Sequence, residues 1–274
     1  MTTKQMSELL ESIIGILEAK VPASVDAPQN LRHVKRLQKI FADYFGQLAD
    51  AFPYHKIDGL YSKYVTEAKG GEAEDFIYPL LRHFETELLQ RVNGYVLTIY
   101  LSGDSQVVAW GRSAGLEQAY EGPPIRRAIA YAEKHCAKLV TKMGDETKSQ
   151  LARIISDGIE NKRGIPGLKK DIQDKFKDWK RTDEMSPGRA RTIARTETND
   201  ALSQASIDRM NDLGVDGKEI VPGDPCDICK AFVDEGVVPI DHEYIYDGEN
   251  YGKQPSFHPN CVCALAPARL ARKR

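Results

Sequence analysis

Cys226 and Cys229 stand at C-x-x-C spacing in "DPCDICKAF", and His258 and Cys261 repeat that spacing in "PSFHPNCVCALAP". Two residues between ligands let one tight turn aim both at a single ion, and thiolate and imidazole are the ligands zinc takes as a tetrahedron. Cys263 is a fifth candidate. It lies two residues beyond Cys261, so in extended backbone the two would point to opposite faces and only one need bind. Structural Zn2+ is the first reading of the cluster, with disulfides and free thiols as the alternatives. A closed four-ligand site stabilises a fold and does no chemistry, whereas a catalytic zinc keeps an open position. The remaining cysteine, Cys136, falls on an apolar helical stripe and reads as a small buried hydrophobe.

The two pairs are separated by 28 residues, room for a hairpin. "KEIVPG" reads as a short strand and turn, and "VVPIDHEYIY" as an alternating strand. A module of this size holds little core, which is a reason to want a metal staple. The rest of the chain carries helical periodicity. Stripes run through Leu9–Leu17, Val34–Leu48, Ile77–Val92, Ile125–Met143, Leu151–Ile159 and Leu168–Trp179. Gly122–Pro124 marks a boundary. Gly144–Asp145 reads as a helix stop and new cap, and Ser186–Pro187 as a helix start. The expected fold is mainly α. A multi-helix N-terminal region (1–121) and a helical middle (122–214) precede a small zinc-stapled α+β module (215–274).

The last long helix has a seam of Ala190, Ile193, Ala194, Glu197, Ala201 and Ala205, small enough for a close neighbour. A carboxylate there is costly unless partnered. Glu197 therefore reads as a structural buried group, tied to an Arg of another helix or to backbone N–H groups near the cysteine module.

Composition sets outer bounds. With 41% hydrophobic and 28% charged residues the chain reads as a soluble globular protein. No apolar run approaches the roughly 20 residues that span a bilayer. The first twenty residues resemble an amphipathic helix more than an export signal, so a reducing compartment and no membrane are expected. The net charge of −2 hides a basic stretch. Between Lys162 and Arg191 stand ten Lys or Arg (162, 163, 169, 170, 175, 177, 180, 181, 189, 191) against five Asp or Glu (171, 174, 178, 183, 184). That stretch and the terminal "RLARKR" are either a solvated face or a contact for something acidic.

"ARTIARTETNDALSQ" followed by "DPCDICKAF" and "PSFHPNCVCALAP" resembles the phage Mu F-like head-morphogenesis family, the minor capsid proteins of tailed phages. The likeness covers roughly Pro124 to Pro267. It implies a non-enzymatic virion protein, present inside the capsid near the portal and in host cytoplasm during assembly. It implies the portal protein as partner, with scaffold or major capsid protein and phage DNA as further contacts, and a role in procapsid assembly, DNA packaging or ejection. Residue by residue it singles out Arg195, Thr196 and Glu197, and Cys226, Cys229, His258, Cys261 and Cys263. This chain departs from the family in lacking an aromatic before the first cysteine pair and in having Val262, not Arg, between the last two cysteines. Two other readings are a His-Asn-His-type nuclease, with Asp241–His242 and Asn250, and a plain zinc-stabilised DNA-binding protein. The C-x-C end and the lack of a Gly-rich follow-on to "IDHEY" argue against the nuclease.

Overall fold

The structure, a computed structural model, describes residues 23–59, 61–62, 72–113, 123–183 and 188–270. The expected Leu9–Leu17 stripe, the Ser186–Pro187 start and the last four residues of the basic tail lie outside them. The long helices are α1 (Pro28–Ala51), α2 (Glu72–Ser113), α3 (Ile125–Glu160), α4 (Ile165–Trp179) and α5 (Arg189–Asp212). After α5 come β1 (Gly217–Val221), the short helix α6 (Asp227–Asp234), β2 (Val238–Pro239), β3 (Ile245–Tyr246), β4 (Glu249–Asn250) and β5 (Ala264–Ala268). The chain is mainly helical with a small C-terminal strand region, as the periodicity predicts.

Two compact units divide the chain differently from the three sequence segments. One gathers residues up to Leu37, Gly94–Ala132 and Thr192 onward; the other gathers Gln38–Asn93 and Glu133–Arg191. In the second unit the stripes of α1, α3 and α4 bury Phe41, Phe45, Leu48, Val140, Leu151, Leu168, Phe176 and Trp179. Trp179 packs its ring 5.4 Å from both Phe45 and Phe176, and Arg189 lies over it at 5.1 Å while donating to Thr147 and Glu146. The predicted break at Gly144–Asp145 is absent, because α3 runs straight through. Val140, Met143, Thr147, Leu151 and Ile155 are one continuous buried stripe. Its burial outweighs the roughly 1 kcal/mol that an internal glycine costs a helix.

The first unit holds the strands. β2, β1 and β5 form an antiparallel sheet in that order, with Gly217 opposite Pro239 and Lys218 opposite Pro267. Both prolines sit on edge strands, where a sheet tolerates a missing N–H. β3 and β4 make a separate hairpin. The alternating strand expected over "VVPIDHEYIY" is broken between β2 and β3. There the carbonyls of Ile240 and His242 turn away to accept from the ammonium of Lys218, at 2.9 and 2.7 Å. The core under the sheet joins Val107, Ile207, Met210, Ile220, Phe232, Tyr244, Phe257 and Leu265 with Cys229, Cys261 and Cys263. The small seam of α5 meets α2 closely, as expected: a Cβ on Gly103 would lie 2.7 Å from the carbonyl oxygen of Leu202.

His33 is also in this unit, buried with Nδ1 3.1 Å from the Tyr95 hydroxyl. Burial, with the charge of Arg32 adding to it, pushes its pKa from 6.5 down to about 3. The unfolded chain takes up this proton below about pH 6.5, the folded chain only near pH 3. Its contribution is therefore present above pH 6.5 and lost as pH falls, at about 1.4 kcal/mol per pH unit. Urea midpoints should drop between about pH 6.5 and 4.5. His33→Gln should flatten that slope, and an unchanged slope would remove His33 from the account.

Candidate metal centre

Two turns build the site. In the first, Cys226 is the N-cap of α6 in extended conformation, and its carbonyl accepts from Lys230 N–H at 2.8 Å. This puts Cys229 in the first turn of α6, where the helix N-terminus favours thiolate. In the second, Cys261 N–H donates to the His258 carbonyl at 3.1 Å, and Asn260 turns the chain with φ of 65°. His258 Nδ1 lies 2.9 Å from the Pro259 carbonyl. Only a ring proton can bond there, so Nδ1 donates and Nε2 is left as the acceptor that a metal needs.

The donors converge. His258 Nε2 is 3.2 Å from Cys226 Sγ and 3.2 Å from Cys229 Sγ, and Cys229 Sγ is 3.8 Å from Cys261 Sγ. Zn–S bonds of about 2.3 Å give a tetrahedral S···S edge of about 3.8 Å, and with Zn–N of about 2.0–2.1 Å an N···S edge of about 3.5 Å. These three edges suit a zinc-sized ion, with the N···S edges about 0.3 Å shorter than that ideal. Within 4.8 Å, however, the donors group as two triads that share Cys229, Cys226–Cys229–His258 and Cys229–Cys261–Cys263, so Cys261 would have to close on the first triad to complete a tetrahedron. The five cysteines are free thiols, which removes the disulfide alternative from this structure.

Cys261 and Cys263 do not point to opposite faces. The strand starts only at Ala264, and the turn before it brings the Sγ atoms of Cys229, Cys261 and Cys263 within 4.8 Å of one another. Cys261 is the favoured thiolate of the three. Hydrogen bonds from Cys229 and then Cys263 hold it far below the usual thiol range, and the N–H groups of Phe257 and Cys263 add to them. The Cys229 thiol is pushed up by those same bonds to Cys261 and Cys263 and by burial.

Helix α5 clamps the second turn. Thr196 Oγ1 accepts from Asn260 N–H at 2.9 Å, and Asp200 accepts from Ser256 N–H at 3.0 Å. The Asn199 amide donates to the carbonyls of both Cys261 and Cys263, at 3.0 and 3.1 Å. Arg195 donates to Asn260 Oδ1 at 3.3 Å and pairs with Asp26. Residues 195, 196, 199 and 200 are one helical face. The motif residues Arg195 and Thr196 are therefore outer supports of the His258–Cys261 turn. Glu197 is buried on the same helix, as expected for its seam position. Asn199 and Asp200 lie off the alanine seam, and the signal that marks them in the sequence is a polar stripe at i, i+4 beside that seam. Val262 is buried, and a Cβ on Gly223 would lie 2.8 Å from it. The two turns thus pack through an apolar contact here.

Other candidates do not converge. The His242 ring meets Glu235 at 2.8 Å, while the Asn250 amide donates to Glu243 at 2.6 Å. His242 and Asn250, the pair named in the nuclease reading, therefore serve different partners. In the basic stretch, Arg189 and Arg191 are largely buried, Arg163 pairs with Asp171, Lys169 with Asp58 and Arg181 with Asp178. Lys162, Lys170, Lys177 and Lys180 stay exposed. No helix is long and apolar enough to cross a membrane among the described residues. No family model, curated protein or solved structure matches the chain.

Proposed function

We propose that this chain is a non-enzymatic assembly protein with a metal-stapled C-terminal module, acting as a minor head protein of a tailed phage or prophage. One observation carries the reading. The polar face of α5 that bears the family-like "ARTETND" is spent on gripping the turn that bears "HPNCVC". The two motifs on which the resemblance rests are thus two halves of one structural device. The ligand set we assign is Cys226, Cys229, His258 and Cys261, holding structural zinc. Such a set is closed, with protein donors for all four positions and none for a reacting water. In this role the module offers a rigid body to the portal protein, in the capsid interior near the portal, during procapsid assembly, packaging or ejection. The exposed lysines of α4 offer a weak site for phage DNA.

The test is co-expression of this chain with a tailed-phage portal protein. A complex that survives size-exclusion chromatography at physiological salt is the expected result. Failure to co-purify, together with DNA cleavage in magnesium or manganese that is abolished by His242→Ala, would replace this reading by the nuclease.

A further inference from the structure

The cluster has one donor more than a tetrahedral ion needs. Cys229 Sγ belongs to two triads, one with Cys226 and His258 and one with Cys261 and Cys263. The triads differ in kind. The first contains an imidazole and the exposed thiol of Cys226. The second is sulfur only, and each of its three residues is 1% exposed. Its geometry is imposed from outside the turn, because the single amide of Asn199 holds the carbonyls of both Cys261 and Cys263. That grip keeps both thiols turned toward Cys229.

We propose that Cys229, Cys261 and Cys263 form a second coordination set that takes one soft ion of the copper(I) class in trigonal geometry, in competition with the tetrahedral set. The proposal rests on the reading of this cluster as a metal site. Thiolates without harder donors select copper(I), while a set with imidazole suits zinc. Metal–sulfur bonds of about 2.3 Å in a plane require S···S of about 4.0 Å, and Cys229 and Cys261 already stand 3.8 Å apart. Burial of all three sulfurs excludes water from a fourth position. Since Cys229 and Cys261 are common to both sets, copper entry takes two ligands from zinc. No redox step is involved: copper(I) takes the Cys229 and Cys261 thiolates from zinc and displaces the proton of Cys263, zinc leaves as the divalent ion, and the Cys226 thiolate takes up a proton.

The full chain is loaded with zinc and titrated anaerobically with copper(I), with bicinchoninate as competing chelator and a zinc indicator in the same cuvette. One copper(I) bound per chain with one zinc released is expected. His258→Ala should weaken zinc by about a hundredfold or more while leaving copper(I) affinity within about threefold. Cys263→Ser should do the reverse. Cys263→Ala, which buries no hydroxyl, guards against a folding defect, and both variants should keep the parent's circular dichroism. Copper(I) affinity unchanged by either Cys263 substitution overturns the proposal. So does an equal loss from Cys226→Ser, which would place the ion in the exposed triad. Zinc binding without the copper pattern sinks this proposal alone. The copper pattern without zinc binding sinks the tetrahedral assignment and leaves this one standing.

Discussion

Replacing Cys229 by serine is expected to release the metal and unfold the C-terminal module. Cys229 is the hub of the cluster, within 3.2 Å of His258 Nε2 and 3.8 Å of Cys261 Sγ. Structural zinc in small zinc-finger peptides contributes about 10–16 kcal/mol at neutral pH. A domain's whole net stability is about 5–15 kcal/mol, so loss of even half that contribution leaves little. The effect reaches beyond the turns, because Cys229, Cys261 and Cys263 share one apolar cluster with Phe232, Tyr244, Phe257, Ile207 and Val107. Elemental analysis of protein purified without chelator should give near one zinc per chain for the parent and none for Cys229→Ser. EDTA on the parent should reproduce the variant's loss of near-ultraviolet dichroism. The chain's two tryptophans separate the units: Trp110 lies in the unit that holds the metal turns and Trp179 in the other. With Trp110→Phe as background, Trp179 fluorescence should survive EDTA. Metal-free parent with native dichroism would end the staple reading.

The second large effect is expected at Lys218. This lysine is fully buried, and its ammonium donates to the carbonyls of Ile240, His242 and Lys253 at 2.9, 2.7 and 2.7 Å, with the Tyr244 ring 5.4 Å away. Burial, with Lys253 adding to it, pushes its pKa down to about 8, so the group is still charged at neutral pH. Three donors meet three acceptors, and all three carbonyls belong to the loop between β2 and the metal turn. Lys218→Met keeps the apolar stem and removes every donor. Each buried carbonyl left without a partner costs about 1–3 kcal/mol, so a loss of about 3–6 kcal/mol is expected after partial relaxation. Urea melts measure it. Lys253→Met, which removes an exposed side chain but leaves the accepting carbonyl, should change the midpoint little. Equal, small shifts in both variants would mean the loop is held by something else.

The contrast between these two sites shows what the sequence could tell. The cysteine pairs were legible because ligand spacing is local: a C-x-x-C turn aims two sulfurs whatever surrounds it. The buried stripes of α1 to α4 were legible for the same reason, since a stripe such as Leu168, Ile172, Phe176 and Trp179 is written within one element, although α3 read as two helices and α2 as only its Ile77–Val92 part. Lys218 was invisible. A lysine in "GKEIV" reads as an exposed strand position, and its acceptors lie 22, 24 and 35 residues away. Those contacts also broke the strand that alternation predicted. The facing of Cys261 and Cys263 was misjudged because it assumed extended backbone, and the amide that bends the turn comes from Asn199, more than sixty residues earlier. The division into units was hidden as well, since α1, α2, α3 and α5 each contribute residues to both.

The prolines at the sheet edges have a consequence for how this protein behaves when many copies are crowded together. An unpaired strand edge is a template on which another chain can polymerise. Here the β2 edge is two residues long and carries Pro239, and the β5 edge carries Pro267. Each proline leaves a gap in the row of donors that an incoming strand would need. The three-stranded sheet is thereby sterile toward growth on both sides. A partner that recognises this three-stranded sheet is therefore expected to meet its side chains rather than to add a strand to it.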